Sequence, residues 1–447
     1  MKAPSTGTAR LLDASVFLLF ALALTLPSGY SYGAVLLCVL GLGCLPQLSR
    51  SHLSHNPDLV AWAWVVLGMG LVWCMHIVNE QGQLVTTTLG LDRCVKYGLV
   101  LLILPALFTL RPSASTLRWG CAAGATGAGL VALWQVLVQD LPRADGFSNA
   151  IQFGNLALLL GLWSCVWAQQ RGTTIERFAC GVGTILGIAA SLASGTRGGW
   201  LALPVLLVLA IWLGPSDRIA GTPNGRGGRH GRLLIAVVIT VLTCAAALTL
   251  PEIRDRTKLV LQEWTQSTQP SVGNSSTGLR RALWQEAWRT GLSSPWIGVG
   301  QVGYERVLRE AASRQQVPQG VLKLNHAHNE ALDLFAKRGL LGVTMLVLFY
   351  GIPGLACWRH LRTTVRNPKS DRRQAGEATG GEPDHPEADR AAALCGLITV
   401  LGFMIFGTTQ VMFAHNNGNL MYLIPLSIWI SVAAKGVRSS GSPTSTV

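Results

Sequence analysis

Charge is what this sequence has least of. Asp, Glu, Lys and Arg make up 13% of its 447 residues, against about 25% in soluble proteins. With 49% apolar residues, the balance excludes an ordinary soluble globular protein. Ten cysteines are present but no CxxC pair, which removes a zinc ribbon and a dithiol redox motif. All but Cys94 fall in apolar runs, where a thiol packs as a small hydrophobe. Also missing are the ~10-residue segments of alternating polarity that build a membrane β-barrel, and any internal repeat.

What is present is a series of long apolar runs. As helices they are long enough to cross ~30 Å of hydrocarbon. The sequence therefore predicts an all-α polytopic membrane protein with about 12 transmembrane helices. The expected spans are 12–28, 33–47, 58–78, 95–110, 116–138, 151–169, 178–193, 199–213, 233–250, 339–357, 391–411 and 419–435. Nine spans thus fill residues 1–250, a large loop takes 251–338, and three spans with a linker at 359–390 fill 339–447. The first span reads as retained, since a cleaved signal peptide would need a shorter apolar core followed by a small-residue site.

The net charge of +14 belongs to topology. Arg50, Arg111, Arg118, Arg171, Arg177, Arg218, Arg226, Arg229 and Arg232 lie on alternate loops, joined by the arginines of 359–390 and both tails. The short loops of the opposite face hold only Arg93, Lys96, Arg143 and Arg197. By the positive-inside rule the first set and both termini are cytoplasmic, so the basic balance is no nucleic-acid footprint.

Of the two long loops, 359–390 is rich in Pro, Gly and charge and reads as a mobile linker without chemistry. The loop 251–338 lies on the outer face and holds four of fifteen tryptophans and two histidines. Its pattern predicts an amphipathic helix over 251–266. A second helix, from Leu279 to Gly291, carries Arg280, Trp284 and Trp288 on one stripe, and a third spans Tyr304 to Gln316. The GxGxxG at 298–303 follows no strand, so it reads as a helix-entry turn and not as a dinucleotide fingerprint.

Three features carry candidate chemistry. Arg197, in the turn Ser194-Gly195-Thr196-Arg197-Gly198-Gly199, either snorkels to lipid headgroups or grips a phosphate bidentately. His326 and His328 are solvated loop residues, metal ligands with Glu330 as a third, or an acid/base pair, a role that suits an imidazole near neutral pH. Arg143 reads as a binding or structural residue, and His76 as a hydrogen-bonded residue inside the third span.

Taken together, SGTRGGWLAL at 194–203, Arg280 through Trp284 followed by SPWIGVGQVGY at 294–304, and HAHNEALDLFAKRGLLGV at 326–343 resemble the O-antigen ligase and polymerase superfamily. The many-span layout with a large loop before the tenth span is similar too. The resemblance implies a membrane glycosyltransferase (GT-C-like) bundle in the bacterial inner membrane, with its active site periplasmic. It implies an O-antigen ligase that moves a glycan from an undecaprenyl diphosphate donor to a sugar hydroxyl of a lipid A-core acceptor, among inner membrane lipids. An O-antigen polymerase or a protein O-oligosaccharyltransferase would use the same donor. A transporter would instead show inverted repeats and mid-membrane charges.

By the same resemblance His328 is the general base, with His326 as second choice. Arg197 and Arg280 bind the diphosphate, with Arg281 a competitor one residue away and Arg143 a lesser candidate. Trp284, Asn329 and Tyr304 are candidate substrate contacts. No DxD cluster stands on the outer loops, so the expectation is no metal and no cofactor: guanidiniums neutralise the leaving diphosphate.

Overall fold

A computed structural model describes residues 6–76, 91–214, 276–366 and 386–435, with a few isolated positions between 231 and 241. The described residues form helices and no strand. In chain order these are α1 (Thr6–Leu22), α2 (Tyr30–Cys44), α3 (Arg50–Ser54), α4 (Pro57–Cys74), α5 (Leu91–Thr109), α6 (Ala114–Leu137) and α7 (Ala150–Ala168). There follow α8 (Thr174–Ala193), α9 (Arg197–Leu213), α10 (Ser276–Ser293), α11 (Gly300–Ser313), α12 (Glu330–Arg366), α13 (Pro386–Gly407) and α14 (Asn416–Lys435). Among the described residues eight segments are long and apolar enough to cross a membrane, and α9 is a shorter apolar helix. The chain is an all-α polytopic membrane protein.

The expected spans fall on these helices except the ninth, 233–250, which, like the amphipathic helix at 251–266, lies almost wholly outside the described residues. Two boundaries need correction. The first helix starts at Thr6 rather than residue 12 and ends at Leu22. The linker expected over 359–390 is helical at both ends, since α12 continues to Arg366 and α13 starts at Pro386, and its remainder, 367–385, lies outside the described residues. Pairing explains both ends: Arg359 and His360 bind Asp58 at 2.8 and 2.9 Å, and Asp389 binds Arg111.

Helix starts follow ordinary capping chemistry. Asn149 accepts the Gln152 N–H at the head of α7, and Thr173 with Glu176 forms a reciprocal capping box on α8. Helices α14, α7 and α13 are the most buried, and α2 and α8 turn much of their apolar surface outward. Because lipid tails are as apolar as leucine, such a centre holds together by close packing and interhelical hydrogen bonds. Both are visible. A Cβ at Gly187 would lie 2.7 Å from the Gly161 Cα, so α7 and α8 touch along their backbones. Trp62 Nε1 donates to Ser427, Tyr422 to the Phe349 carbonyl, and Ser431 to the Leu107 carbonyl.

Ion pairs and hydrogen bonds between helix termini sort these termini to two ends of the bundle. One end carries the pairs Arg118–Glu176, Arg171–Glu387 and Asp58–Arg359. The other gathers the ends of α4, α6, α8 and α13 with the starts of α5, α7, α9, α12 and α14. Upon it, α10 and α11 build a small second core around Leu283, Ala287, Tyr304, Leu308 and Ala336.

Candidate active site

The segments 294–304 and 326–343 face one another. Val299 N donates to Ala336 O at 3.0 Å, Leu340 N to Pro295 O at 2.7 Å and Leu341 N to Trp296 O at 3.2 Å. Two glycines with positive φ permit the approach: a Cβ on Gly298 would lie 2.4 Å from Arg338 N, and one on Gly339 2.4 Å from Trp296 C. Gly339 also breaks α12 into Glu330–Arg338 and a long helix beyond. The N–H groups of Gly298 and Val299 are taken by Ser294 O and Ala336 O, so this turn is a packing element. The helix after it begins at Gly300, four residues before the expected Tyr304.

Ahead of α12 the chain is held rather than solvated. Asp333, on the first turn of α12, accepts the Ala327 N–H at 2.8 Å and pairs with Lys337, whose ammonium also donates to Asn325 O at 3.0 Å. Asp333 and Lys337 are buried. Asn329 Oδ1 accepts the Leu332 N–H, the usual work of an N-cap, and its Nδ2 donates to Thr408 O. Through these two bonds the carboxamide ties the head of α12 to the segment after α13. His328 itself stands at φ 51°, a left-handed conformation that costs a non-glycine residue about 1–2 kcal/mol and persists only where the surroundings impose it.

The two histidines meet edge to face, with ring centroids 4.2 Å apart. His326 Nδ1 accepts the His328 N–H at 3.3 Å. His328 Nδ1 lies 2.7 Å from Gln410 Oε1. A carboxamide oxygen only accepts, so Nδ1 carries the proton and Nε2 keeps its lone pair. Burial, reinforced by the Arg280 guanidinium, lowers the His328 pKa to about 4. Burial and the His328 ring lower that of His326 to about 2. Both are neutral imidazoles at pH 7. A third imidazole, His415, stands 6.1 Å from His326, its pKa likewise lowered by burial.

Around these rings the buried cations outnumber the buried acids. Arg93, Lys96, Lys337 and Arg338 are buried together with Glu330 and Asp333. Arg93 and Arg338 stand 4.5 and 5.7 Å from the Trp73 ring, and Arg93 donates to Ala414 O. Glu330 Oε2 accepts the Phe413 N–H at 3.2 Å, which ties the start of α12 to the segment before α14. Among the described residues no group of three His, Cys, Asp or Glu side chains is placed to hold a metal ion.

The turn 194–199 reaches the same place from the other side. Ser194 and Thr196 share a hydrogen bond, Thr196 Oγ1 donates to Ala150 O, and Arg143 Nε donates to Ser194 O at 2.7 Å, so Arg143 braces this turn. A Cβ at Gly198 would lie 2.7 Å from Thr409 Oγ1, next to the Gln410 that holds His328. The backbone of Arg197 opens α9 at this point; its side chain lies outside what the structure describes. On α10, Arg280 is half-buried and its charge acts on His328, whereas Arg281 is exposed. Trp284 is 37% exposed, and Trp288 lies over Phe335 at 5.2 Å.

Three further placements differ from those expected. Tyr304 is fully buried, its hydroxyl donating to Leu283 O and its ring 5.3 Å from the Lys337 ammonium, so it packs the small core. Arg93 and Lys96 are not loop residues but occupy the first turns of α5, buried against α14. His76 lies past the end of α4, exposed, near the Arg338 guanidinium at 3.4 Å. Gln410, His415, Asp333 and Lys337 were not singled out from the sequence. The signal available was the i, i+4 pair Asp333–Lys337 directly ahead of a long apolar run, where ionisable residues are expensive.

A curated relative from Haemophilus influenzae strain Rd, described as an uncharacterized protein, is 24% identical over 428 residues, covering 93% of this chain and 96% of its own. Residues 182–347 match the family model described as O-antigen ligase. That segment contains the turn at 194–199, Arg280, His326, His328 and the Gly339 break, and through it the chain is similar to the O-antigen ligase family.

Proposed function

We propose that this protein is an O-antigen ligase, transferring a glycan from undecaprenyl diphosphate to a sugar hydroxyl of lipid A-core by a metal-independent, inverting displacement. In this reading the histidine end of the bundle faces the periplasm, the ion-paired end and both termini face the cytoplasm, and the membrane is the bacterial inner membrane. The segment 251–338 is then the periplasmic catalytic loop.

The observation that carries the reading is the state of His328. Its Nδ1 is held by Gln410 and its ring is neutral, which leaves Nε2 to accept a proton. The acceptor hydroxyl gives that proton to Nε2 while its oxygen bonds to the anomeric carbon of the donor. The bond from that carbon to the diphosphate breaks on the opposite face, and the electron pair leaves with undecaprenyl diphosphate. A positioned base contributes about 10²- to 10⁴-fold to such a step. Arg280, and Arg197 at the head of α9, neutralise the departing diphosphate, since guanidinium forks match phosphate oxygens. His326 orients His328, and Trp284 offers an aromatic face to the glycan.

The test is reconstitution of the purified full chain with a defined carrier-linked glycan and lipid A-core, with and without EDTA. Product that needs both substrates and survives chelation supports the ligase. Product formed from carrier-linked glycan alone identifies a polymerase, and product formed on a Ser or Thr hydroxyl of a polypeptide identifies a protein glycosyltransferase.

A further inference from the structure

Beside the histidine cluster lies a cavity of about 340 Å³ that the chemistry above does not use. It opens between the α1–α2 turn and the segments that precede α7 and α14. Its size falls at the small end of ligand pockets, roughly 300–1,000 Å³.

Three carboxamides line it: Asn149, Asn416 and Asn417. In each the oxygen is already engaged. Asn149 Oδ1 accepts the Gln152 N–H at 2.9 Å, Asn417 Oδ1 the Gly418 N–H at 2.8 Å, and Asn416 Oδ1 the Lys96 ammonium. No described residue accepts from the three Nδ2 groups, so the amides present donors. His415 also lines the cavity, and its buried Nε2 has no hydrogen-bond partner among the described residues. The hydroxyl-bearing Ser28, Ser148 and Tyr30 complete the polar side, and Leu24, Leu26 and Phe147 supply an apolar rim.

The lining contains no charged side chain. A pocket built for phosphate would bring Arg or Lys to its wall, whereas the nearby Lys96 is already bound to Asp92 and Asn416. Amide donors and hydroxyls on one side with apolar surface on the other fit a ring that carries oxygens on its edge and C–H groups on its face.

We propose that this cavity is a binding subsite for one uncharged sugar unit of a glycolipid, seated next to His415. The proposal rests on the glycan-transfer reading for its ligand class, and the sugar comes either from the carrier-linked donor or from the lipid A-core acceptor.

The experiment measures binding to the full chain in detergent of three probes: a carrier-linked neutral oligosaccharide, lipid A-core, and undecaprenyl phosphate without sugar. Asn149→Asp, Asn416→Asp and Asn417→Asp keep the engaged oxygen and remove the donors, and Asp caps α7 as well as Asn does. Each is expected to weaken one of the two sugar-bearing probes by roughly 3- to 10-fold and to leave the bare carrier unchanged; the probe affected names the source. Ser148→Trp, which fills the cavity while the three carboxamides remain in the chain, should abolish that binding. Unchanged affinity for both glycolipids in all four variants overturns the subsite, as does equal weakening of the bare carrier. His328→Ala separates the two readings: it should keep the amide-dependent binding while losing transfer. Amide-dependent sugar binding in a wild-type protein that transfers nothing would sink the transferase alone.

Discussion

The two ends of the bundle use the same kinds of residue in opposite ways. At the ion-paired end Arg111, Arg118, Arg171, Arg359 and His360 each meet a carboxylate, and several of these pairs join helices far apart in sequence. At the histidine end the buried cations exceed the acids, two guanidiniums lie near one indole, and three imidazoles cluster under this positive surround. A balanced set of charges fixes helices in place. An excess of one sign costs folding energy and is retained where an opposite charge is to be met.

The sharpest break in that comparison is His328→Ala. It should lower turnover by about 10²- to 10⁴-fold while expression and carrier-lipid binding persist, because it removes the base and not the anion grip. Near-wild-type turnover in the reconstituted assay would dismiss His328 as the base.

Next in size is a contrast in stability. Asp333→Asn leaves the Lys337 ammonium buried without its counter-charge, and breaking a buried pair in this way costs about 3–5 kcal/mol. Arg359→Ala removes an arginine whose side chain is 65% exposed, and exposed pairs contribute about 0–1 kcal/mol. Thermal unfolding of the two variants should differ accordingly. Equal shifts would mean that the 325–333 clamp is not held as described.

A smaller effect is expected for Arg280→Lys, which keeps the charge and loses the planar fork. If Arg280 holds the leaving diphosphate, a charge-assisted hydrogen bond of about 1.5–3 kcal/mol is lost, roughly 10- to 100-fold in turnover. The loss should be greater in turnover than in donor affinity, since the leaving charge grows in the transition state. Arg197→Lys should behave alike, and wild-type values for both would remove these arginines from the mechanism.

The smallest effect concerns pH. A base is useful only unprotonated, and the His328 pKa is lowered to about 4, so kcat/KM should be nearly flat from about pH 5 to 7 and fall as pH drops through about 4. An ordinary histidine, near 6.5, would lose most of its activity by pH 5. Bound diphosphate adds negative charge and should move the acidic limb of kcat upward relative to that of kcat/KM. A kcat/KM limb centred on 6.5 would show that His328 is solvated in the working enzyme.

Much of the fold was legible because a membrane helix is a local object. The run 150–168 announces itself by length and apolarity, and Asn149 and Thr173 announce helix starts by type. Boundaries slipped where a helix outran its apolar part. Arg359 to Arg366 looked like linker because it is polar, yet α12 simply extends beyond its hydrophobic stretch. Of the candidate site, the motif residues His326, His328 and Arg280 were legible, and the structure brings them together. For Tyr304 and Asn329 a one-dimensional reading sees a polar group and not the backbone atoms that it is bonded to.

The sequence by itself therefore determined the class of the protein, where its helices run and which histidine-bearing segment is unusual, since each of these depends on neighbours within a few turns. Only the tertiary structure decided what that segment faces. Gln410 reaches His328 across 82 residues and Arg93 reaches Ala414 across 321. No periodicity links such positions, because their meeting depends on how α5, α12, α13 and α14 pack and not on the chemistry of any one of them.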